Sequence, residues 1–219
     1  MRIAVIGAGN VGGTLGRRWA ERGHDVVFGM RNPERGASAV KGGDALPAKA
    51  TIASPDQAAR GADVVVLATP WYAVADAIKE VGSLDGKIVF DTTNPLTRDM
   101  KLDVGPGGES AGERIQAMAK GAKVVKVFNT TGADNMQDPK FDGAATMMFY
   151  AGDDAQAKSV ARQLATDLGF EPFDAGGLSA ARELEHLAML WISMAYGLGG
   201  AEKLGRNFAF RVVRRPSSS

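Results

Sequence analysis

The stretch of sequence that decides the fold is MRIAVIGAGNVGGTLGRRWAERGHDVVFG, residues 1–29. The apolar run Ile3–Ile6 predicts a buried strand, and Val11–Arg22 has the pattern of a helix. Asp25–Gly29 predicts a second strand. The sequence G-x-G-x-x-G stands at residues 7–12, between the first strand and the helix. This order of strand, glycine-rich turn and helix indicates the opening unit of a parallel α/β sheet.

Beyond this unit, apolar runs continue to alternate with helical patterns. Further strands are predicted at Ala50–Ala53, Asp63–Ala68, Lys87–Asp91, Lys123–Phe128, Thr146–Ala151 and Glu171–Phe173. Helices are predicted at Pro33–Val40, Ser54–Arg60, Trp71–Val81, Ser110–Lys120, Asp154–Leu168 and Ser179–Leu198. Because crossover helices return the chain to the same end of a sheet, the strands should pair in parallel. The predicted fold is α/β, a Rossmann-type doubly wound, mostly parallel sheet.

From about Gly176 onwards the pattern is helical only. We therefore expect a dinucleotide-binding domain over residues 1–175 and a small C-terminal helical lobe over residues 176–219. The last six residues, Arg214–Ser219, have the composition of a frayed tail.

Charge and composition exclude several classes of function. Lys and Arg number 26 and Asp and Glu number 25, so the net charge of +1 gives no argument for nucleic acid or a membrane surface as a partner. The chain has no cysteine and two histidines, which excludes disulfides, thiolate metal sites and a multi-histidine metal site. The apolar run after Met1 is too short for a signal peptide, and we expect a cytoplasmic protein.

Each glycine of the turn has a distinct expected role. Gly7 permits the tight turn, Gly9 lets the backbone approach a pyrophosphate, and Gly12 allows the helix to pack closely on the strand. The first N–H groups of the helix and the positive end of its dipole then face the phosphates. The turn therefore predicts a dinucleotide site.

The end of the second strand indicates which dinucleotide binds. An NAD enzyme usually places a carboxylate there for the ribose 2′-hydroxyl, but this chain has Arg31 and Arg35 instead. A guanidinium can donate two charge-assisted hydrogen bonds to a 2′-phosphate. This favours NADP(H) over NAD(H); the alternative is that both arginines are solvated loop residues.

Polar residues follow three other strands. The segments are 68–71 (ATPW), 91–96 (DTTNPL) and 128–133 (FNTTGA). Their Thr and Asn side chains could hold a nicotinamide carboxamide, which needs both donors and acceptors. The alternative is that they are ordinary turn and cap residues.

The sequence offers no clear group for proton transfer. His24 precedes the second strand, at the end of the sheet away from the chemistry, and His186 lies among Glu183 and Glu185 on the last helix. Residues 187–196 of that helix are apolar nearly all round, which predicts burial on most sides, either as core or as a homodimer interface. A hydride transfer between two bound ring systems suits such a site because it needs little acid–base help.

With these features, the chain resembles the NADPH-dependent reductases of the deazaflavin coenzyme F420. The similarity extends from Met1 to about Arg211, and its most specific parts are MRIAVIGAGNVGG, GHDVVFGMRNPER, the TPW at 69–71 and DAGGLSAARELE before the last helix. The resemblance implies a dinucleotide-binding domain with a small helical lobe, often dimeric. It also implies direct hydride transfer between nicotinamide C4 and deazaflavin C5.

Two positions depart from the archaeal members of that family. Met30 stands where they have a serine, so Asn32 is expected to replace its contact with the 2′-phosphate. Asn129 stands where they have a histidine beside the deazaflavin, and their following Ile-Pro is Thr131-Gly132 here.

The residues expected to bind the cofactor come from the motifs and from the resemblance. They are Gly7, Ala8, Gly9, Asn10, Val11 and Gly12 at the pyrophosphate, Met30, Arg31, Asn32 and Arg35 at the 2′-phosphate, and Thr69, Pro70, Trp71, Asn94, Asn129 and Ala133 further along. The expected reaction is hydride transfer between NADP(H) and coenzyme F420 or a flavin. Two alternatives remain open: an NADPH-dependent reductase of a small carbonyl or imine, and a non-catalytic NADP(H)-binding sensor.

Overall fold

The computed structural model describes residues 1–215. Pro216–Ser219, which form most of the predicted frayed tail, lie outside the described residues. The strands are β1 Arg2–Ile6, β2 Asp25–Gly29, β3 Ala50–Ala53, β4 Val64–Leu67, β5 Ile88–Asp91, β6 Lys123–Val127, β7 Lys140–Phe141, β8 Ala144–Ala145, β9 Met147–Gly152 and β10 Glu171–Asp174. The α-helices are α1 Asn10–Glu21, α2 Pro55–Ala59, α3 Val74–Val81, α4 Ala111–Met118, α5 Ala133–Gln137, α6 Ala155–Leu168 and α7 Ala181–Tyr196.

Eight strands form one sheet in the order β10-β9-β6-β5-β4-β1-β2-β3. All neighbours pair in parallel except β6 and β9, which are antiparallel. The sheet therefore confirms the predicted α/β class with a mostly parallel sheet. The strand order changes direction between β1 and β4, so a crevice opens beyond their carboxyl ends, where ligands bind in such sheets.

Successive residues of the central strands enter different cores. Ile3 and Val5 pack on one face of the sheet, against Leu15 and Trp19 of α1. Their neighbours Ala4 and Ile6 pack on the other face, in the cluster that includes residues of α2, α3 and α4. Both faces of these strands are covered, which explains why their sequences are apolar throughout instead of alternating.

Several predicted boundaries were wrong. Residues 33–40 form two single 3₁₀ turns, Pro33–Arg35 and Ala37–Ala39, because Gly36 with φ 64° interrupts any helix. Residues 71–73 also form a 3₁₀ turn, and α3 begins only at Val74. The predicted strand Lys123–Phe128 ends at Val127 because Phe128 has a left-handed backbone with φ 62°.

The C-terminal segment differs most from the prediction. Helix α7 ends at Tyr196, where Gly197 has φ 74°, and apart from a 3₁₀ turn at Leu198–Gly200 no helix follows among the described residues. The segment after α7 folds back onto this helix, and Phe208 stacks on Trp191 with ring centroids 5.1 Å apart. The prediction of helix alone after Gly176 was wrong, while the domain division at residue 175 stays a prediction.

Candidate functional site

A cleft of about 530 Å³ opens at the carboxyl ends of β1, β2 and β4. Four chain segments form its walls: the glycine-rich turn, the loop after β2, the turn after β4, and one face of α3. The residues that line the cleft include Gly7, Ala8, Gly9, Met30, Arg31, Asn32, Arg35, Lys41, Thr69, Pro70, Tyr72, Ala73, Ala77 and Glu80. The structure thus gathers nine of the sequence-predicted cofactor residues in one cleft: Gly7, Ala8, Gly9, Met30, Arg31, Asn32, Arg35, Thr69 and Pro70.

The three motif glycines have the geometry that a phosphate-binding turn needs. Gly7 has φ 106°, and a Cβ there would lie 2.6 Å from the carbonyl oxygen of Ala68. A Cβ on Gly12 would lie 2.0 Å from the carbonyl oxygen of Gly7, so helix and turn touch. Around Gly9, by contrast, no described atom lies within 4 Å of an added Cβ. The backbone at Gly9 is therefore open to a ligand.

Helix α1 begins directly after this opening. Gly9 is its N-cap residue, and no side chain among residues 1–215 caps its first turn. The predicted residues Asn10, Val11 and Gly12 form this first turn, where the amide groups have no acceptor inside a helix. Such amides can bind an anion.

The loop after β2 brings cations to one end of the cleft. Arg31 and Arg35 are exposed, and Lys41 lines the same end. The Nε atom of Arg31 lies 2.8 Å from an oxygen of Glu80, which belongs to α3. Glu80 and Lys41 were not predicted, since neither belongs to a sequence motif.

A buried arginine holds the loop that carries Lys41. The side chain of Arg17, 5% exposed, donates to the carbonyl oxygens of Lys41 at 2.9 Å, Val40 at 2.9 Å and Gly43 at 2.7 Å, and also to that of Ala45. The amide of Lys41 donates in turn to the carbonyl of Ala8. The wall of the cleft is thereby tied both to α1 and to the glycine-rich turn.

The turn after β4 presents Thr69 to the cleft and directs Trp71 away from it. The Oγ1 atom of Thr69 is buried and has no hydrogen-bond partner among the described residues. Trp71 donates from Nε1 to Asp103 at 2.7 Å, and the guanidinium of Arg114 lies 4.5 Å from its ring centroid. Tyr72, 86% exposed, is the aromatic side chain that this turn contributes to the cleft wall.

The ends of β5 and β6 are joined by a pair of asparagines. Asn94 donates to the backbone carbonyl of Asn129 at 3.0 Å, and Asn129 donates from Nδ2 to Asn94 Oδ1 and to the carbonyl of Leu184, both at 3.1 Å. These bonds use both Nδ2 hydrogens of Asn129. Its Oδ1 is buried, and nothing in the described chain donates to it. The hydroxyls of Thr92 and Thr93 already donate, to Leu67 and Asp91, so they are engaged within the protein.

The backbone before this pair is strained. Phe128 is fully buried with φ 62°, a conformation that costs a bulky residue about 1–3 kcal/mol. Aromatic contacts with Trp19, Phe90 and Phe170 hold its ring in place. The resulting turn ends β6 and sets Asn129 at the edge of the sheet. Ala133 begins α5 further along and, like Asn94 and Asn129, lies outside the cleft lining given above.

A buried ion cluster lies behind these strand ends. Lys126 Nζ lies 2.8 Å from Asp91 Oδ2 and 2.8 Å from Glu185 Oε1, and it donates to the carbonyl of Thr93 at 2.7 Å. The side chains of Lys126, Asp91 and Glu185 are 0%, 0% and 3% exposed. Glu185 also accepts from the amides of Ala111 and Gly112, at the start of α4. The cluster fastens α7 to the ends of β5 and β6, and the one signal for it in the sequence is a lysine inside an apolar strand.

The two histidines lie apart from the cleft lining. His24 is buried and its Nε2 lies 3.0 Å from Asp167 Oδ2, while Nδ1 lies 3.3 Å from the amino group of Met1. His186 is exposed, with Nδ1 2.8 Å from the carbonyl oxygen of Arg182. Within residues 1–215 no cluster of three potential metal ligands is present. No helix of the described chain has the length and apolar character needed to cross a membrane.

The chain is similar to known proteins in sequence and in fold. The family described as NADP oxidoreductase coenzyme F420-dependent matches residues 2–95, which contain β1 to β5 and the cleft lining. Among curated proteins, the chain is 27% identical to metalloreductase STEAP3 of Rattus norvegicus over 86% of its own length. It spans only 36% of that relative's length.

Two relatives match over nearly their whole length. The F420-dependent NADP reductase of Methanothermobacter thermautotrophicus is 29% identical, with 99% of this chain and 96% of that protein covered. The crystal structure of a proposed F420-dependent NADP reductase from Arthrobacter sp. FB24 has 34% identity and a TM-score of 0.85, and the match covers 98% of this chain and 100% of the other. Since sequence and fold agree over nearly the whole length of the Arthrobacter protein, this chain belongs to the family of coenzyme F420-dependent NADP oxidoreductases.

Proposed function

We propose that the protein transfers a hydride between NADP(H) and a deazaflavin of the coenzyme F420 type. Two features of the cleft support a dinucleotide as its ligand. The open backbone at Gly9 leaves room for a pyrophosphate against the free amides of α1. The buried Oγ1 of Thr69 lacks a partner in the described chain, and a polar group of the ligand would satisfy it.

The cations after β2 support NADP(H) over NAD(H). Arg31, Arg35 and Lys41 line one end of the cleft, and Glu80 is its one carboxylate among the described lining residues. The net positive charge favours a 2′-phosphate, which an arginine can bind through two hydrogen bonds. Asn32 lines the same end and can add a neutral donor.

Substitution of Arg31 tests this preference. The change Arg31→Ala should weaken NADPH binding by at least about tenfold, since a hydrogen bond to a charged group is worth about 1.5–3 kcal/mol, and should leave NADH binding nearly unchanged. Arg60→Ala is the matched control, because Arg60 also forms an exposed ion pair but lies outside the cleft lining. Equal weakening of both dinucleotides by Arg31→Ala would contradict the assignment.

The single observation that carries the choice of acceptor is the sequestration of the ionisable groups behind the strand ends. Lys126 forms buried ion pairs with both Asp91 and Glu185, and the neighbouring threonine hydroxyls are engaged within the protein. Reduction of a carbonyl requires a proton donor within hydrogen-bond reach of the carbonyl oxygen, while the carbon accepts the hydride. Reduction of a deazaflavin also takes up one proton, but the hydride adds to C5 while the charge spreads through the ring system, so a ring nitrogen can take that proton from solvent without a protein donor at the reacting carbon. The protein's part is to hold the rings in register and to exclude water.

The acceptor can be identified by turnover. Purified protein with NADPH is mixed separately with F420, FMN, and a panel of small carbonyl and imine compounds, and nicotinamide absorbance is followed. Rapid oxidation with F420 alone supports the proposal. Turnover confined to a carbonyl or imine would favour an NADPH-dependent reductase of such compounds. Tight NADPH binding without turnover would favour a non-catalytic NADP(H)-binding sensor.

We also propose that two copies pair through α7. Leu187, Leu190 and Met194 share one face of this helix, and Leu190 is 51% exposed although the helix was predicted to be buried on most sides. An apolar stripe of this kind suits a symmetric interface. Light scattering after size exclusion should give a dimer for the wild type and a monomer for Leu190→Asp. A monomeric wild type would refute the pairing.

A further inference from the structure

The loop after β2 and helix α3 are joined across the cleft by one ion pair. Nε of Arg31 lies 2.8 Å from Glu80 Oε1 and donates to Glu80 Oε2 at 3.1 Å. The two side chains are 56% and 38% exposed, so neither is held by surrounding core. The carboxylate thus straddles a single nitrogen of the guanidinium.

This contact leaves the far edge of the guanidinium available. Within residues 1–215, Nη1 and Nη2 of Arg31 make no hydrogen bond. These two nitrogens form the fork that matches two oxygens of a phosphate. The ion pair through Nε therefore restrains the arginine without occupying its phosphate-binding edge.

The face of α3 that carries Glu80 is otherwise formed by small residues. Ala73, Ala77 and Glu80 recur at helical spacing and all line the cleft. The alanines leave space between α3 and the loop after β2, and the carboxylate bounds that space at one end.

A carboxylate in the lining of this cleft should weaken the binding of a phosphate unless it has another role. Its charge opposes that of a bound phosphate, and the other charged groups of the cleft lining are Arg31, Arg35 and Lys41. We propose that Glu80 is a positioning residue for dinucleotide selectivity: it holds Arg31 by Nε so that the Nη edge faces the 2′-phosphate. This inference rests on the proposed preference for NADP(H). An exposed arginine otherwise loses rotamer freedom when it binds, and a restrained one loses less.

Three variants test the inference through the dissociation constants of NADPH and NADH, measured by titration of nicotinamide fluorescence. Glu80→Ala should weaken NADPH by about three- to tenfold, the effect of ordering one additional side chain on binding, and leave NADH unchanged. Glu80→Gln should recover most of the affinity, since its amide oxygen still accepts from Nε. In the Arg31→Ala background, Glu80→Ala should cause no further weakening of NADPH binding.

Asp76→Ala is the matched control, because Asp76 lies on the same helix in an exposed ion pair with Lys79, outside the cleft lining. Tighter NADPH binding by Glu80→Ala would overturn the inference, since repulsion would then dominate. Weaker NADH binding would overturn it as well, because the carboxylate would be serving the ribose hydroxyl. So would failure of Glu80→Gln to recover affinity, or an additive loss without Arg31. If Arg31→Ala itself fails to discriminate the dinucleotides, the proposed NADP(H) preference fails; if it discriminates and Glu80→Ala has no effect, only the role of Glu80 fails.

Discussion

Replacement of Lys126 by methionine should remove the centre of the buried ion cluster at low steric cost, since the two side chains are similar in length. The ammonium group donates to Asp91 at 2.8 Å and to the Thr93 carbonyl at 2.7 Å, and it lies 2.8 Å from Glu185 Oε1. Lys126→Met leaves all three acceptors in place without this partner. The two carboxylates would then face each other in a site that is at most 3% exposed.

The expected loss in free energy of unfolding is a large fraction of the typical stability of a domain. Breaking a buried ion pair by removing one partner costs about 3–5 kcal/mol, because the remaining charge is left uncompensated. Glu185 keeps the amides of Ala111 and Gly112, which moderates the cost at that carboxylate. We therefore expect a loss of about 4 kcal/mol out of a typical total of about 5–15 kcal/mol.

Urea denaturation measures this loss directly. With a slope of about 2 kcal/mol per M, the midpoint should fall by about 2 M. Lys101→Met is the matched control, because Lys101 forms an exposed pair with Asp99 at 3.0 Å and should change stability by less than about 0.5 kcal/mol. A midpoint for Lys126→Met within the range of the control would refute the conclusion that the cluster fastens α7 to the sheet.

Three further predictions concern the turn, the cleft and helix α4. Gly12→Ala should destabilise the fold by about 1–3 kcal/mol or more, because its Cβ would overlap the Gly7 carbonyl, whereas Gly9→Ala should leave urea stability unchanged and weaken NADPH binding. Thr69→Val removes a buried hydroxyl without a partner in the described chain, so stability should not fall, while NADPH affinity measured by fluorescence should drop about tenfold. The Arg182 guanidinium beside Glu113 lowers the pKa of that carboxyl from 4.5 to about 2, so its stabilising effect is complete above pH 4.5 and is lost as the pH falls towards 2. Glu113→Gln should therefore cost about 1–2 kcal/mol at pH 7, after allowance for solvent screening, and much less at pH 2 in parallel urea titrations.

The parts of the fold that depend on local pattern were predictable. Strands β2 and β3 have the predicted bounds, and β1, β4 and β5 differ by one residue at one or both ends. The antiparallel pairing of β9 with β6 was not predicted, since a buried strand has the same sequence pattern in either direction. The hairpin β7–β8 and helix α5 were missed because each is too short to show a periodicity.

The site was predictable where one motif or one strand end defines it. The glycines and Arg31 follow from spacing along the chain, because their roles require a conformation or a charge at a known place. Arg17, Glu80 and Lys126 were missed because each acts through partners distant in sequence. Lys126, for example, is 35 residues from Asp91. A buried lysine in an apolar strand signals that carboxylates must be near it, but only the fold specifies which ones.

The two ends of the site hold their charges in different ways, and this difference has a chemical reason. At the proposed 2′-phosphate end, Arg31 and Glu80 remain 56% and 38% exposed, so their pairing can adjust when a dinucleotide binds. At the carboxyl ends of β5 and β6, Lys126 and its carboxylates are at most 3% exposed, so the interior packing holds them in one arrangement. Binding tolerates adjustment, whereas hydride transfer depends on a fixed separation of the reacting atoms. Selectivity should therefore be open to change at Arg31 with little loss of stability, while substitutions at Lys126 should reduce stability and turnover together.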